Sequence, residues 1–392
     1  MLRKNRLFTP GPTPLLPAAA QAMAMADVHH RTADFRKLLS RCLADLKIFV
    51  GTQNDVLLLA ASGTGAMEAS VANFTSPGDK VTVLSAGKFG ERWTGLAKAY
   101  GCEVNTVSVP YGKTFDLNAV SGQVKDARVV YMQATETSTG TMHDVRGVAE
   151  LLHGGDTLLV VDAITGLGTT RFDIDAWGVD VLIGGSQKAV MIPPGLAYLS
   201  VSERAWQRAE SAKSPRYYFD LRKERKAQVN GETAFTPATS LVAALAAALD
   251  YLRAAGGGDL AAGRDNLISN AEITAEMTRE AVKAVGMTLF SEAPANAVTA
   301  AVPPAGIDSS ALVKDFRENF GAVVANGQGE MKGKMVRFAH LGYFDYLDTI
   351  GIIGALEHVL GRATGKELFG KGLTAAQSAY RKMRQGDRVA VA

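Results

Sequence analysis

Short, continuous apolar runs separated by stretches of helical spacing constrain this chain more than any other feature. Val81 to Ser85, Glu103 to Val109, Val129 to Gln133, Leu158 to Ala163, Val179 to Ile183 and Leu196 to Val201 read as strands. Between several of them lie segments with apolar residues at helical spacing, such as Arg92 to Tyr100 and Val145 to Leu152. A strand with one wet face alternates apolar and polar residues, whereas a strand covered on both faces does not. Continuous runs alternating with helices therefore predict an α/β chain, a mostly parallel sheet with helices on both faces. Ligands of such sheets bind beyond the carboxyl ends of the strands. The polar residues that end these runs thus become candidates as a group.

Ser240 to Ala254 has the alanine-rich spacing of a buried helix, and Gly256-Gly257-Gly258 reads as its stop and as a domain linker. A second pattern follows. Asn266 to Val285, Ser309 to Asn319 and Tyr346 to Leu360 are helix-like; Met287 to Phe290, Ala297 to Val302, Gly321 to Ala325 and Met335 to Ala339 are strand-like. This predicts a large domain over residues 21–258 and a smaller C-terminal α+β domain over residues 259–392. Residues 1–20 are expected to form an N-terminal active-site segment, because Thr9-Pro10-Gly11-Pro12-Thr13-Pro14 suits an ordered loop, not helix or central strand.

With 392 residues, 47% of them hydrophobic, the chain can bury a core of this size. A net charge of +3 is too small to point to nucleic acid, and Arg222-Lys223-Glu224-Arg225-Lys226 reads as a solvated face. Cys42 and Cys102 provide neither a disulfide framework nor metal-ligand spacing, so no metal is expected. Met1-Leu2-Arg3-Lys4-Asn5-Arg6-Leu7 is basic but has no apolar core behind it, and Ser240 to Leu252 is too short to span a bilayer. A cytoplasmic protein with no membrane partner is expected.

Lys188 follows the apolar run Val179 to Ile183 within Gly184-Gly185-Ser186-Gln187-Lys188, with Pro193-Pro194-Gly195 beyond it. Burying an ammonium is costly, so a lysine between sheet and loop suggests chemistry. Desolvation lowers its pKa and frees the amine for a Schiff base. Asp162 ends the run Leu158-Leu159-Val160-Val161 and, taken alone, reads better as a helix cap or loop residue. Ser62-Gly63-Thr64 follows Val56 to Leu59 and opens a helical pattern, which fits either a phosphate cradle or an ordinary capped turn. In the order cradle, acid, lysine, the three together suggest pyridoxal phosphate (PLP). Its phosphate needs a cradle, its ring nitrogen a carboxylate and its aldehyde a lysine.

Several motifs extend this reading: Thr9-Pro10-Gly11-Pro12, Ser62-Gly63-Thr64-Gly65-Ala66-Met67-Glu68, Glu136-Thr137-Ser138-Thr139-Gly140, Val161-Asp162-Ala163, Gly185-Ser186-Gln187-Lys188 and Arg337-Phe338-Ala339-His340-Leu341-Gly342. With them the chain resembles the class V, fold-type I PLP-dependent aminotransferases of the alanine–glyoxylate and serine–glyoxylate (serine–pyruvate) group. The resemblance implies that Lys188 binds the cofactor and moves the substrate α-proton, and that Asp162 pairs with the ring nitrogen. It implies that Ser62, Gly63, Thr64 and Gln187 hold the phosphate. Phe89 would stack on the ring, where many relatives carry Trp, and Ser138 would sit beside the ring hydroxyl. Gly11 and Arg337 would meet the substrate, Arg337 at its α-carboxylate. Thr236, in Gly231 to Thr239, would reach a neighbouring subunit's phosphate site, so a homodimer is implied. His29-His30 resembles an N-terminal active-site segment and suits a polar loop equally.

The implied reaction is ping-pong transfer of an amino group from alanine or serine to glyoxylate or pyruvate. One rival is 2-aminoethylphosphonate–pyruvate transamination, which needs a cationic phosphonate pocket. Another is cysteine desulfuration, which needs a late nucleophilic cysteine; none follows Lys188. A third is a non-catalytic PLP-binding protein, against which the full set of lysine, acid, cradle and arginine speaks.

Overall fold

The computed structural model describes residues 3–390; Met1 and Leu2 of the basic N-terminal stretch lie outside the described residues. Seven strands form the main sheet: β1 (Asp55–Leu59), β2 (Lys80–Ser85), β3 (Glu103–Ser108), β4 (Val129–Gln133), β5 (Leu158–Asp162), β6 (Val181–Gly185) and β7 (Ala197–Val201). Their order is β1-β7-β6-β5-β4-β2-β3. From β6 through to β3 every pairing is parallel, and β7 alone runs antiparallel to both its neighbours. The local reason is the connection. A parallel return needs a crossover, usually helical, but residues 186–196 form only a loop, so β6 and β7 pair as a hairpin.

Both faces of this sheet are covered, as the continuous runs predict. Along β5, Leu159 and Val161 pack into one hydrophobic layer while Leu158 and Val160 pack into the other. Val130 and Met132 of β4 join the first layer, and Val129 and Tyr131 join the second. Each such side chain contributes roughly 1.5–3 kcal/mol by leaving water. Helix α1 (Gly63–Phe74) lines the second layer, and helix α2 (Lys88–Ala99) adds Trp93, stacked on Tyr131 at 4.6 Å.

The Arg222–Lys226 run lies on helix Leu221–Gln228, where Arg225 pairs with Asp55 at 2.8 Å and lies over Trp206. At Gly256 the chain turns directly into the long helix Leu260–Ala284, which packs back on helix Thr239–Ala255. A second, four-stranded antiparallel sheet follows: β8 (Thr288–Leu289), β9 (Val298–Val302), β10 (Ala325–Asn326) and β11 (Val336–Ala339), in the order β8-β9-β11-β10. The expected strand Gly321 to Ala325 is split. Ala322–Val323 pairs with Arg6–Leu7, and β10 pairs with β11. No helix among the described residues is long and apolar enough to cross a membrane.

Candidate active site

Lys188 sits in the loop of the β6–β7 hairpin. Ser186 staples this loop: its hydroxyl donates to Pro193 O at 2.7 Å and accepts from Leu196 N at 3.2 Å. The N-terminal loop lies directly on the lysine. Lys188 Nζ donates to Pro10 O, Thr13 Oγ1 donates to Lys188 O at 3.1 Å, and Thr13 N donates to Gln187 O at 3.2 Å. The side chain is buried, and burial pulls its pKa down to about 8; the Asp162 charge opposes that shift and the Arg337 charge reinforces it. A lysine so placed has a free amine within reach at near-neutral pH.

Asp162 ends β5, in register with Gln133 on one side and Ile183 on the other. Burial pushes its carboxyl up to about 6. Ile164 N, donating to Oδ1 at 2.9 Å, works against this, and so do the charges of Lys188 and Arg92; the charge of Glu136 adds to it. The lysine of the β6–β7 loop and the acid that ends β5 therefore share one electrostatic environment, beyond the carboxyl ends of the strands.

Ser62 is the N-cap of α1, and its side chain makes no cap bond. The first N–H groups of α1 are thus available to an anion. Thr64 Oγ1 accepts from Arg92 Nη1 at 2.9 Å, and the Arg92 guanidinium lies 4.8 Å from the centre of the Phe89 ring. Phe89 is in the first turn of α2. Its N–H and that of Gly90 donate to Glu136 Oε2 at 3.1 and 3.2 Å, while Ser138 N and Oγ donate to Oε1 at 3.1 and 2.5 Å.

Arg337 lies on β11 and is buried. Its Nε and Nη2 donate to Asn326 O at 3.0 and 2.8 Å, and Nη1 donates to Thr137 O at 2.8 Å. No carboxylate pairs with it among the described residues, and each Nη keeps a second N–H for a ligand. Burial lowers its pKa to about 10 and the Glu136 charge opposes the shift, so it stays cationic at neutral pH.

Gly11, next to Pro10, also packs on the lysine. Its φ is +119°, and a Cβ there would lie 2.7 Å from Lys188 Cε. Gly11→Ala combines a strained backbone with a direct clash. It should lower turnover about 10²-fold, as small misplacements in a site do; unchanged steady-state rates would show that the roof yields freely.

The residues present fit a phosphorylated aldehyde cofactor. Gln187 Oε1 is buried without a partner, so the amide is free to turn its N–H₂ toward a phosphate. Gly63 leaves open a space that a Cβ would close against Ile164, 3.0 Å from its Cγ1. Thr236 is not part of this group in its own chain. It is exposed, on the rim of a cleft walled by Leu58, Ala60, Tyr218 and Phe235. His29 and His30 lie 4.6 Å apart, ring to ring, in the turn that enters helix Ala33–Val50. No three or more His, Cys, Asp or Glu gather as metal ligands among the described residues. Cys42 and Cys102 are both buried, and burial pushes the Cys42 thiol up to about 12, far from a nucleophile's range.

Sequence reasoning gave no role to Glu136, Arg92 or the Pro10 carbonyl. An acid among hydroxyl residues just past a buried strand was a readable signal for Glu136. The other two depend on contacts distant in sequence.

The sheet order, the hairpin lysine and the strand-end acid define a transaminase of fold type I. The family described as Aminotransferase class-V matches residues 17–341, and the chain belongs to it. The chain is 36% identical over 384 residues to a protein of Anabaena cylindrica named soluble hydrogenase 42 kDa subunit, covering 96% of this chain and 98% of that one. It is 31% identical to the L-aspartate–glyoxylate aminotransferase of Paracoccus denitrificans, covering 97% and 98%. Among solved structures, the alanine–glyoxylate aminotransferase of a Nostoc species superposes with a TM-score of 0.86 at 30% identity, covering 92% of this chain and 96% of that one. The family is PLP-dependent, and the chain is a transaminase acting on amino acids and 2-oxo acids.

Proposed function

We propose that this transaminase moves the amino group of a small amino acid, alanine or serine, to glyoxylate or pyruvate, with PLP held by its own residues. The observation that carries this reading is the placement of Lys188 against Asp162, Arg337 and the Pro10-Gly11 loop. Two of the named relatives use glyoxylate as acceptor, which supports that choice. The close roof over Lys188 supports a small substrate.

Ser62, Gly63, Thr64 and Gln187 would hold the cofactor phosphate, Phe89 would cover its ring, and Asp162 and Ser138 would meet its ring nitrogen and hydroxyl side. When bound, it supplies a carbonyl carbon that captures the amine and a ring that accepts the electron pair left at the α-carbon. The protein's residues do the rest. Arg337 grips the α-carboxylate with the free N–H of each Nη, fixing which bond at the α-carbon faces the lysine. Lys188 Nζ takes the α-proton from one substrate and returns a proton to the next. Asp162 keeps the ring nitrogen protonated, and the Pro10-Gly11 roof keeps water from the proton in transit. A reaction in two halves then follows, because one lysine and one arginine serve donor and acceptor in turn.

A homodimer and a cytoplasmic setting belong to the same proposal. Phe235 stacks on Tyr218 at 4.9 Å, Tyr217 beside them is 74% exposed, and Thr236 is exposed next to this cluster. Such a surface supports a partner chain reached by Thr236. The two unbridged cysteines support a reducing compartment.

The test is a panel of amino acids mixed with the PLP-loaded protein, each followed by the absorbance change that accompanies amino transfer to the cofactor. Alanine or serine should react fastest, and glyoxylate should reverse the change. No response to any amino acid would end the reading. Arg337→Ala should raise KM for donor and acceptor together by about 10²-fold, the worth of two charge-assisted hydrogen bonds, with kcat less affected. A rise for one substrate alone would assign the carboxylate contact elsewhere.

A further inference from the structure

Glu136 is fully buried, and no lysine, arginine or histidine lies within ion-pair distance of it among the described residues. Its carboxylate is instead surrounded by donors from two elements. Oε2 takes Phe89 N and Gly90 N at the start of α2, and Oε1 takes Ser138 N and Oγ from its own loop. Lys88 N closes the ring by donating to Ser138 Oγ at 3.2 Å. The fit is tight, since a Cβ on Gly87 would lie 2.6 Å from Glu136 Cδ and 2.6 Å from Ser138 Oγ. A carboxylate at a helix start is favoured by the backbone dipoles there. Arg337 Nη1 donates to the carbonyl of the adjacent Thr137 at 2.8 Å, so the Glu136 charge supports that of Arg337 and opposes that of Asp162; burial raises the Glu136 carboxyl itself, and its Ser138, Gly90 and Phe89 donors work against the rise.

We propose that Glu136 is a positioning residue with two effects: its carboxylate fixes the Phe89 turn and Ser138 to each other, and its charge offsets Arg337 and so loosens that arginine's hold on a carboxylate. The second effect rests on Arg337 as the carboxylate site; the first does not. A transaminase binds and releases a carboxylate in each half-reaction, so an arginine with a buried counter-charge nearby exchanges ligands more readily than a bare one.

The two effects predict opposite changes in one variant. Glu136→Gln keeps the shape but puts an amide N–H₂ where one carboxylate oxygen accepted two donors, whichever way the amide turns, and it removes the charge. Titration of the cofactor-free protein with PLP should give a Kd raised about tenfold. Inhibition of the PLP-saturated enzyme by acetate should become about threefold tighter. Glu136→Asp keeps the charge but is too short to serve both elements, so its Kd for PLP should rise while acetate inhibition stays as in the parent. General damage to the fold would weaken both affinities in Glu136→Gln; that result, or either affinity staying fixed, overturns the proposal. If Glu136→Gln does not fold, an unchanged PLP affinity in Glu136→Asp overturns it alone. Arg337→Ala is the separate control: unchanged acetate inhibition there removes the arginine reading and leaves the effect on Phe89 and Ser138 to be judged by PLP affinity.

Discussion

Lys188→Ala should lose turnover by about 10⁴-fold, the combined worth of a positioned base and a covalent anchor. The geometry explains why no neighbour substitutes for it. The loop carrying Lys188 is fixed by Ser186 from below and by Thr13 from above, so the amine is delivered to one place. Burial holds its pKa at about 8, close enough to working pH for the free amine to be abundant. Removing the side chain leaves a vacant space beneath Pro10 and Gly11, and a small primary amine added to the solution should restore part of the rate. The check is single-turnover kinetics with and without methylamine, alongside the cofactor's visible absorption. A variant that keeps more than about one hundredth of the parental rate would remove Lys188 from the chemistry.

Asp162→Asn should lower kcat by about 10³-fold with little change in KM, because a neutral amide cannot hold the ring nitrogen protonated as charge develops. The same substitution tests the electrostatics without the cofactor. Folding raises the Asp162 pKa from its ordinary 3.8 to about 6. Native protein therefore retains a proton that the unfolded chain releases between those values. The penalty of burying the charge is absent below about pH 4 and complete above about pH 6, so stability falls as pH rises through that window. Asp162 should account for about 3 kcal/mol of the fall, so the cofactor-free parent should lose that much more stability across the window than Asp162→Asn, as read by urea unfolding at a series of pH values. Equal slopes in both proteins would place the titrating group elsewhere.

The parts of the fold legible in the sequence are those decided locally. Val129–Gln133 is buried along its whole length, and Val145–Leu152 has helical periodicity behind the Asp144 cap; both were readable to the residue. The direction of β7 was not legible from its apolar pattern, since a buried strand looks the same whichever way it runs. Only the missing crossover before it decides the matter. The helix Lys371–Ala390 was not legible because its buried positions include small alanines, Ala376 and Ala379, among many charged residues. In the site, Asp162 and Lys188 were visible because a polar residue ending an apolar run is conspicuous. The hold of Pro10 and Thr13 on Lys188 joins residues far apart in sequence, and the grip of Glu136 on the Phe89 turn depends on α2 coming to rest beside it. Neither contact leaves a local pattern.

The N-terminal segment of the described residues is held by two parts of the chain that are far apart in sequence. Arg6 and Leu7 pair with Ala322 and Val323, Phe8 O accepts from Ala339 N, and Pro10 and Thr13 cover Lys188. The segment's contacts with Gln187, Lys188 and Met191 fasten one end, and its pairing with residues 322–339 fastens the other. The roof over Lys188 is thus tied at its far end to residues 322–339, and loosening that edge loosens the lysine's cover. A fragment ending before residue 322 would leave that roof fastened at the lysine loop alone.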